Sequence, residues 1–258
     1  PAMIKIVITG AKGLIGWHAH ARLHAANCAA TFKGEPAPFE IVALDHGAFE
    51  DNATLQSAVS GAQAVLHFAG VNRAPDDEVE AANPAIASRL AKACKTAGVL
   101  PHIVYANSTH AASDTPYGRS KRIAGEKLSQ VGGKYTDMVL PHIFGECARP
   151  RYNNVTATFI EAVIARDTPD INPGGRVSLL HAGAAAQAAL DAALQRLEDA
   201  TLQAPMAGII SMVNVEAGQA VNANTTVVEV VDPSVVEVDG VVDEIDVLFI
   251  QQGARAEV

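Results

Sequence analysis

The chain has 258 residues, and its 49% hydrophobic and 18% charged content belongs to a polypeptide that buries a sizeable core rather than remaining disordered. A formal charge of -9 argues against nucleic acid as a partner, and no apolar run approaches the ~20 residues of a membrane span. Three cysteines, Cys28, Cys94 and Cys147, share no ligand-type spacing, which argues against a disulfide scaffold and a cysteine-based zinc site.

Strands and helices alternate through the first part. Met3–Thr9 is a short β-branched run followed by a glycine-rich turn, and Ile15–Ala30 has helical composition. Phe39–Leu44 and Ala64–Phe68 read as strands, with Ala29–Phe39 long enough to hide another. Pro84–Ala97 is an amphipathic helix with Ile86, Leu90, Ala93 and Ala97 on one face. A strand at His102–Ala106, a helix at Lys121–Gln130 and a strand at Thr136–Leu140 complete the pattern. Such alternation predicts an α/β fold, a doubly wound parallel sheet covered by helices on both faces. An alanine-rich helix follows at Ala184–Ala200. After Pro205 come short valine-rich strands at Gly208–Val215, Thr225–Val231, Val235–Val238 and Val241–Ile245.

The charge divides at the same place. Residues 1–195 carry 17 basic and 17 acidic side chains, whereas residues 196–258 carry two arginines against eleven acids. All nine histidines lie in the first part, and 14 of the last 58 residues are valine. The expected division is an α/β domain over 1–183, a helical junction over 184–202 and a β-rich module over 203–258.

The turn Gly10-Ala11-Lys12-Gly13-Leu14-Ile15-Gly16 follows a strand and opens a helix. Gly10 permits the tight turn, Gly13 lets backbone approach a pyrophosphate, and Gly16 lets helix and strand pack closely. The amides of Leu14 and Ile15 at the helix start then face the phosphates. This is the dinucleotide-binding pattern of a Rossmann-like sheet. Asp45, closing the next strand, is placed to accept ribose hydroxyls. Lys12, Arg22 and Lys33 are candidate partners for a 2′-phosphate, which favours NADP slightly over NAD and leaves both open. His20 and His24 lie four apart on the first helix but lack a third ligand in sequence, so no metal is expected.

Tyr117-Gly118-Arg119-Ser120-Lys121 places a phenol and an ammonium four residues apart, on one helix face. The cation is expected to lower the phenol pKa towards the working range. The phenol can then exchange a proton with a carbonyl or carbinol oxygen, and Ser108 at the preceding strand end can hydrogen-bond that oxygen. Ser108, Tyr117 and Lys121 are the candidate catalytic residues.

With these features the sequence resembles the extended branch of the short-chain dehydrogenase/reductase superfamily, the NAD-dependent epimerase/dehydratase family, over residues 3–183. The resemblance rests on the three glycines, His67-Phe68-Ala69-Gly70, Asn83, Ser108, Tyr117, Lys121 and Pro141-His142-Ile143-Phe144-Gly145. It implies cofactor contacts from Phe68, Ala69, Gly70, Asn83, Tyr117, Lys121 and His142. More narrowly, Ala69–Arg73 and Phe144–Asn154 look like the capsular-polysaccharide reductases. That likeness implies reduction of a 4-keto group on a nucleotide-linked sugar, with Arg73, Arg149, Arg151, Tyr152 and Asn154 on the substrate side. It also implies a homodimer through helices of the front domain and a cytoplasmic location. Family members of this branch carry roughly a hundred residues after the nicotinamide loop to complete the substrate domain, where this chain has about fifty before its composition changes.

An epimerase of the same fold is the alternative. A dehydratase generally carries an acid beside the catalytic serine, where this chain has Thr109-His110. The tail, Leu197–Ile210 with Val215–Val221 and Val238–Val258, resembles part of the periplasmic adaptor subunits of efflux pumps and their lipoyl-like module. No lysine follows Lys134, so the tail carries no biotin or lipoate. This resemblance implies a fusion of two unrelated pieces, and a further alternative in which the protein is a non-enzymatic interaction module.

Overall fold

A computed structural model describes residues 3–169, 171–172, 174–199, 204, 206–216, 225–232 and 234, and only the backbone of 196–199. Contacts divide the chain into two compact units, 1–200 and 201–258.

The first unit opens with β1 (Ile4–Thr9), α1 (Leu14–Phe32), β2 (Phe39–Leu44), α2 (Asn52–Val59) and β3 (Ala64–His67). It continues with α3 (Asp76–Ala97), β4 (His102–Ser108), α4 (Pro116–Ser129) and β5 (Tyr135–Leu140). These five strands form one parallel sheet in the order β2-β1-β3-β4-β5. Then come β6 (His142–Phe144), α5 (Val155–Ala165), β7 (Leu179–His181) and α6 (Ala182–Asp199), with β6 and β7 paired in parallel.

Period-two alternation assigns the two sheet faces. Val7, Val65, Ile103 and Tyr105 point into a core with Leu55, Leu90 and Leu128 of α2, α3 and α4. Ile6, Ile8, Leu66 and Val104 point the other way, against Leu23 of α1 and Ala186, Ala189, Leu190 and Ala193 of α6. The sheet is therefore buried on both faces, as a Rossmann-like α/β fold requires. The chain turns from β1 to β2 on one side and returns to β3 on the other. This switch point opens a crevice at the carboxyl ends of β1 and β3.

Several elements differ from the sequence expectation. Residues 29–38 hold the end of α1 and a turn with Gly34 at φ 76°, so no strand intervenes and Asp45 follows the strand paired to β1. Helix α3 starts at Asp76 rather than Pro84, with three acids in its first turn and Pro84 inside it. Those acids complement the positive helix terminus but carry no apolar period, so the pattern conceals them. The expected boundary at 183/184 falls inside the first unit, because the small side chains of α6 let it lie close on the sheet and α1.

In the second unit, β8 (Ile209–Val213) and β9 (Val228–Val231) pair antiparallel, with an irregularity between Ile210 and Met212. The described residues of this unit form that one pair. The strands expected at 235–238 and 241–245, the turn at 217–221 and the stretch 238–258 lie outside the described residues.

Candidate active site

Close packing dictates the glycine turn. Gly10 has φ 67°, and a Cβ there would lie 2.7 Å from the Ala69 nitrogen; at Gly16 it would lie 2.1 Å from the Gly10 oxygen. Gly13 caps α1 through its backbone alone, with no side-chain cap and no acid in the first helical turn. The result is a cradle of bare backbone facing uncapped helix amides, and these residues fit a dinucleotide diphosphate. Thr9 fixes the opposite wall: its backbone oxygen accepts from Phe68 N–H at 3.2 Å and its hydroxyl oxygen from Ala69 N–H at 3.3 Å.

Asp45 follows β2 and accepts from Gly47 N–H at 3.2 Å. Lys12 Nζ donates to its other oxygen at 2.7 Å. The Lys12 hydrogen bond and charge hold the Asp45 carboxyl below its ordinary range. The two other cations proposed for a 2′-phosphate are elsewhere. Arg22 donates to Gln187 of α6 at 3.2 Å, and Lys33 caps the far end of the 19-residue α1, ~28 Å of helix from the turn.

Helix α4 starts with Pro116 at its first turn, and the Thr115 hydroxyl oxygen accepts from Gly118 N–H at 3.1 Å. This cap fixes where Tyr117 and Lys121 emerge. The Ser108 hydroxyl oxygen accepts from His110 N–H at 3.2 Å, and the side chain lies near that of Tyr117. Burial pushes the Tyr117 phenol above its ordinary range, and the nearby Ser108 side chain only partly opposes it. This reverses the expected lowering by Lys121. The ammonium is engaged beneath the site: Nζ donates to the Ala106 oxygen at 2.6 Å and stands 4.2 Å from the Tyr105 ring centroid. Burial pulls Lys121 down to about 7, with the charge of Asp137 opposing.

A polar layer not singled out in the sequence holds this arrangement. Asn107 accepts from Ser108 N–H at 2.8 Å and donates to Asp137 at 3.1 Å; Tyr135 donates to the other Asp137 oxygen at 2.9 Å. Gly125 makes room, since a Cβ there would lie 2.9 Å from the Tyr135 oxygen.

Asn83 is not free for a cofactor. Its amide donates to Val71 O and Ser120 Oγ, both at 2.9 Å, and its oxygen accepts from Val71 N–H at 2.8 Å. It is a buried strut joining the loop after β3 to α3 and α4. His142 accepts from Val155 N–H at 3.4 Å.

The loop between β6 and α5 brings the expected substrate-side residues together unequally. Asn154 is the N-cap of α5, accepting from Ala157 N–H at 3.0 Å and donating to Ile143 O at 2.9 Å. Arg151 is paired with Glu161 at 2.6 Å. Arg73 and Arg149 instead flank the Tyr152 ring, 5.8 and 5.7 Å from its centroid. An open pocket of about 780 Å³ lies beside this loop, walled by Phe144, Ala148, Pro150, Ile160 and Ile164.

A His–Glu–His group also escaped the sequence reading, because its members come from three elements. Gly183 N–H donates to His181 Nδ1 at 3.1 Å, so the proton sits on Nε2, which donates to Glu146 at 2.9 Å. His18 of α1 shares a 3.3 Å hydrogen bond with the Glu146 backbone oxygen. The group ties the loop after β6 to α1 and to the start of α6.

Comparison with known proteins gives three kinds of match. Residues 6–200 match the NAD dependent epimerase/dehydratase family. The chain is 31% identical over 171 residues to the UDP-2-acetamido-2,6-beta-L-arabino-hexul-4-ose reductase of Pseudomonas aeruginosa, covering 64% of this chain and 42% of that protein. Among solved structures, the capsular polysaccharide assembling protein CapF of Staphylococcus aureus superposes with a TM-score of 0.53 at 24% identity, covering 73% of this chain and 48% of that one. The enzyme WbmH of Bordetella bronchiseptica, in complex with NAD+, superposes with a TM-score of 0.58 at 19% identity over 74% and 73%. The chain thus spans less than half the length of the first two. Among the described residues, no helix is long and apolar enough to cross a membrane.

Proposed function

The chain belongs to the NAD dependent epimerase/dehydratase family, and on that premise we propose that it reduces the 4-keto group of a nucleotide-linked sugar using NAD(P)H. The observation that carries the reading is the placement of Ser108 at the end of β4 beside Tyr117 in the first turn of α4, with Lys121 buried one turn on and its Nζ donating to the Ala106 oxygen at 2.6 Å. The identity to a 4-ketose reductase favours reduction over epimerisation.

When bound, the nicotinamide supplies the hydride. The glycine cradle and the amides opening α1 hold the cofactor diphosphate, while Lys12 and Asp45 face its adenosine end. Tyr117 is the proton donor. Its raised pKa keeps the phenol protonated at neutral pH, which suits a group that gives a proton to an oxygen gaining negative charge. Ser108 hydrogen-bonds the same oxygen and stabilises that charge. Lys121, one helical turn on, offsets the charge left on the phenolate oxygen.

Tyr117→Phe tests this. Oxidation of NADPH by a UDP-linked 4-keto sugar should fall by about a hundredfold or more, while NADPH affinity stays within about twofold. Unchanged turnover would remove Tyr117 from the mechanism. Interconversion of sugar epimers without net NADPH consumption would identify an epimerase instead.

For residues 201–258 an interaction role of adaptor type is a separate proposal. It is favoured by the antiparallel β8–β9 pair, which exposes Ile209, Ile210, Met212 and Val213. Failure of the full chain to bind NADH or NADPH would leave that as the surviving reading.

A further inference from the structure

The corner where β4 passes into α4 carries a titratable side chain that the proposed reduction does not use. Thr109–Ala112 forms one 3₁₀ turn between the two elements, and His110 is its exposed second residue. The His110 ring stands 6.1 Å from the Tyr117 ring, centroid to centroid, at an interplanar angle of 64°. Among the described residues its ring nitrogens hold no hydrogen bond, so both are open to a proton donor or acceptor.

The fold builds this placement. His110 N–H donates to Ser108 Oγ at 3.2 Å, and the His110 backbone oxygen accepts from Ser113 N–H at 2.8 Å and from Ser113 Oγ at 2.7 Å. Arg122 Nη1 of α4 donates to the Ala111 oxygen at 2.7 Å. A Cβ at Gly118 would lie 2.3 Å from the His110 oxygen, so the glycine after Tyr117 is what lets this turn close on the start of α4. The other ionisable groups of the corner are committed elsewhere. Arg119 pairs with Glu80 at 2.7 Å and with Asp114 at 3.1 Å. Lys121 is 6% exposed and directs its Nζ to the Ala106 oxygen at 2.6 Å.

We propose that His110 returns the proton to Tyr117 after each reduction, as a relay between the phenol and solvent. The assignment rests on the reductase reading above and adds the step that readies the site for its next turnover. In the reduction the Tyr117 O–H bond breaks and its proton goes to the sugar oxygen, leaving a phenolate. The His110 imidazolium then gives an N–H proton to that phenolate, directly or across one water, and the neutral imidazole takes a proton from solvent. Protons and charge balance, and no further reactant is needed. An imidazole exchanges protons with water readily near neutral pH, which suits it to this step. Lys121 lies covered beneath the site, without the access to water that a relay needs, and its charge steadies the phenolate until the proton arrives.

Stopped-flow absorbance of NADPH oxidation by a UDP-linked 4-keto sugar, on the full chain, tests the relay. The first turnover draws on the proton already held by Tyr117, and every later one needs its return. In His110→Ala the first equivalent of NADPH should be oxidised within about twofold of the wild-type rate, and the steady rate that follows should fall by about tenfold or more. His110→Gln, which fills the same place beside Tyr117 without carrying the proton, should behave alike. Imidazole added to either variant should restore the steady rate in proportion to its concentration. A first turnover slowed as much as the steady rate, a steady rate unchanged in both variants, or no rescue by imidazole would each overturn the proposal. A wild type that binds NADPH but oxidises none of it with the sugar would remove the reductase reading and the relay together. An active wild type with no burst in either variant would remove the relay alone.

Discussion

Replacing Lys121 with methionine should stabilise the folded chain at neutral and mildly acidic pH, while removing an active-site group. Lys121 is 6% exposed, and burial pulls its pKa from 10.5 to about 7. A fall of that size, at ~1.4 kcal/mol per unit, sets a ceiling of about 5 kcal/mol on the penalty for keeping the ammonium charged inside. Methionine leaves the Ala106 oxygen without its 2.6 Å donor, which costs about 1–3 kcal/mol. The expected net gain at pH 6 is therefore at most about 2–4 kcal/mol. The folded state binds fewer protons than the unfolded state between the two pKa values. Wild-type stability should therefore rise with pH from about 7 to 10.5, the penalty being complete below that window and absent above it. The other titrating groups are common to both proteins, so the difference between the two pH profiles isolates Lys121. Urea unfolding from pH 6 to 10, followed by fluorescence of Trp17, the single tryptophan, reports on α1 and its unit. Parallel profiles for the wild type and Lys121→Met would refute the reasoning.

Two further substitutions separate support from contact. Asn83→Ala leaves Val71 N–H, Val71 O and Ser120 Oγ without partners and should destabilise by about 2–4 kcal/mol; denaturation should show the loss, with NADPH affinity little changed while the chain is folded. Lys12→Ala frees Asp45 for a ribose hydroxyl and removes the cation a 2′-phosphate would use, so the Kd ratio of NADPH to NADH should rise about fivefold or more. Asp45→Asn should move the ratio the other way, and an unchanged ratio in both would take the pair out of cofactor recognition.

The central sheet was legible because burial on both faces writes itself as apolar runs bounded by glycine and polar residues. Phe39–Leu44 is observed with the limits its β-branched pattern gives, and β1 and β5 differ by a residue at one end. Helix α5 was not legible: VTATFIEAVIA has a helical cap at Asn154, but its apolar residues run right round the helix and leave Phe159, Ile160, Val163 and Ile164 exposed, so no single face declares itself. Strands β6 and β7 are three residues each and pair only with one another, too short to show a period. The change of composition near residue 184 is real, but it marks a change of packing style. Alanines let α6 lie against α1 and the sheet, and the structural boundary comes only at 200.

At the site, legibility followed whether a residue's partners lie nearby in sequence. The glycine turn and the Tyr117–Lys121 spacing are local geometries, so a single segment specifies them. The protonation of that pair is not local. The prediction that Lys121 would acidify Tyr117 considered one helix face. The structure adds what lies beneath it: the Ala106 oxygen and Tyr105 ring that hold the ammonium, and the burial that raises the phenol. Arg151 and Asn154 were indistinguishable in sequence from Arg149, and only Glu161 and the first turn of α5 reveal that they are occupied. The same logic explains why the His18–Glu146–His181 group was invisible: its hydrogen bonds close across 35 and 128 residues of chain. A side chain's type and spacing state what chemistry it can perform, but the partners gathered by the fold determine which charges remain available to a ligand. By that criterion Arg73 and Arg149 remain the available charges in the arginine cluster.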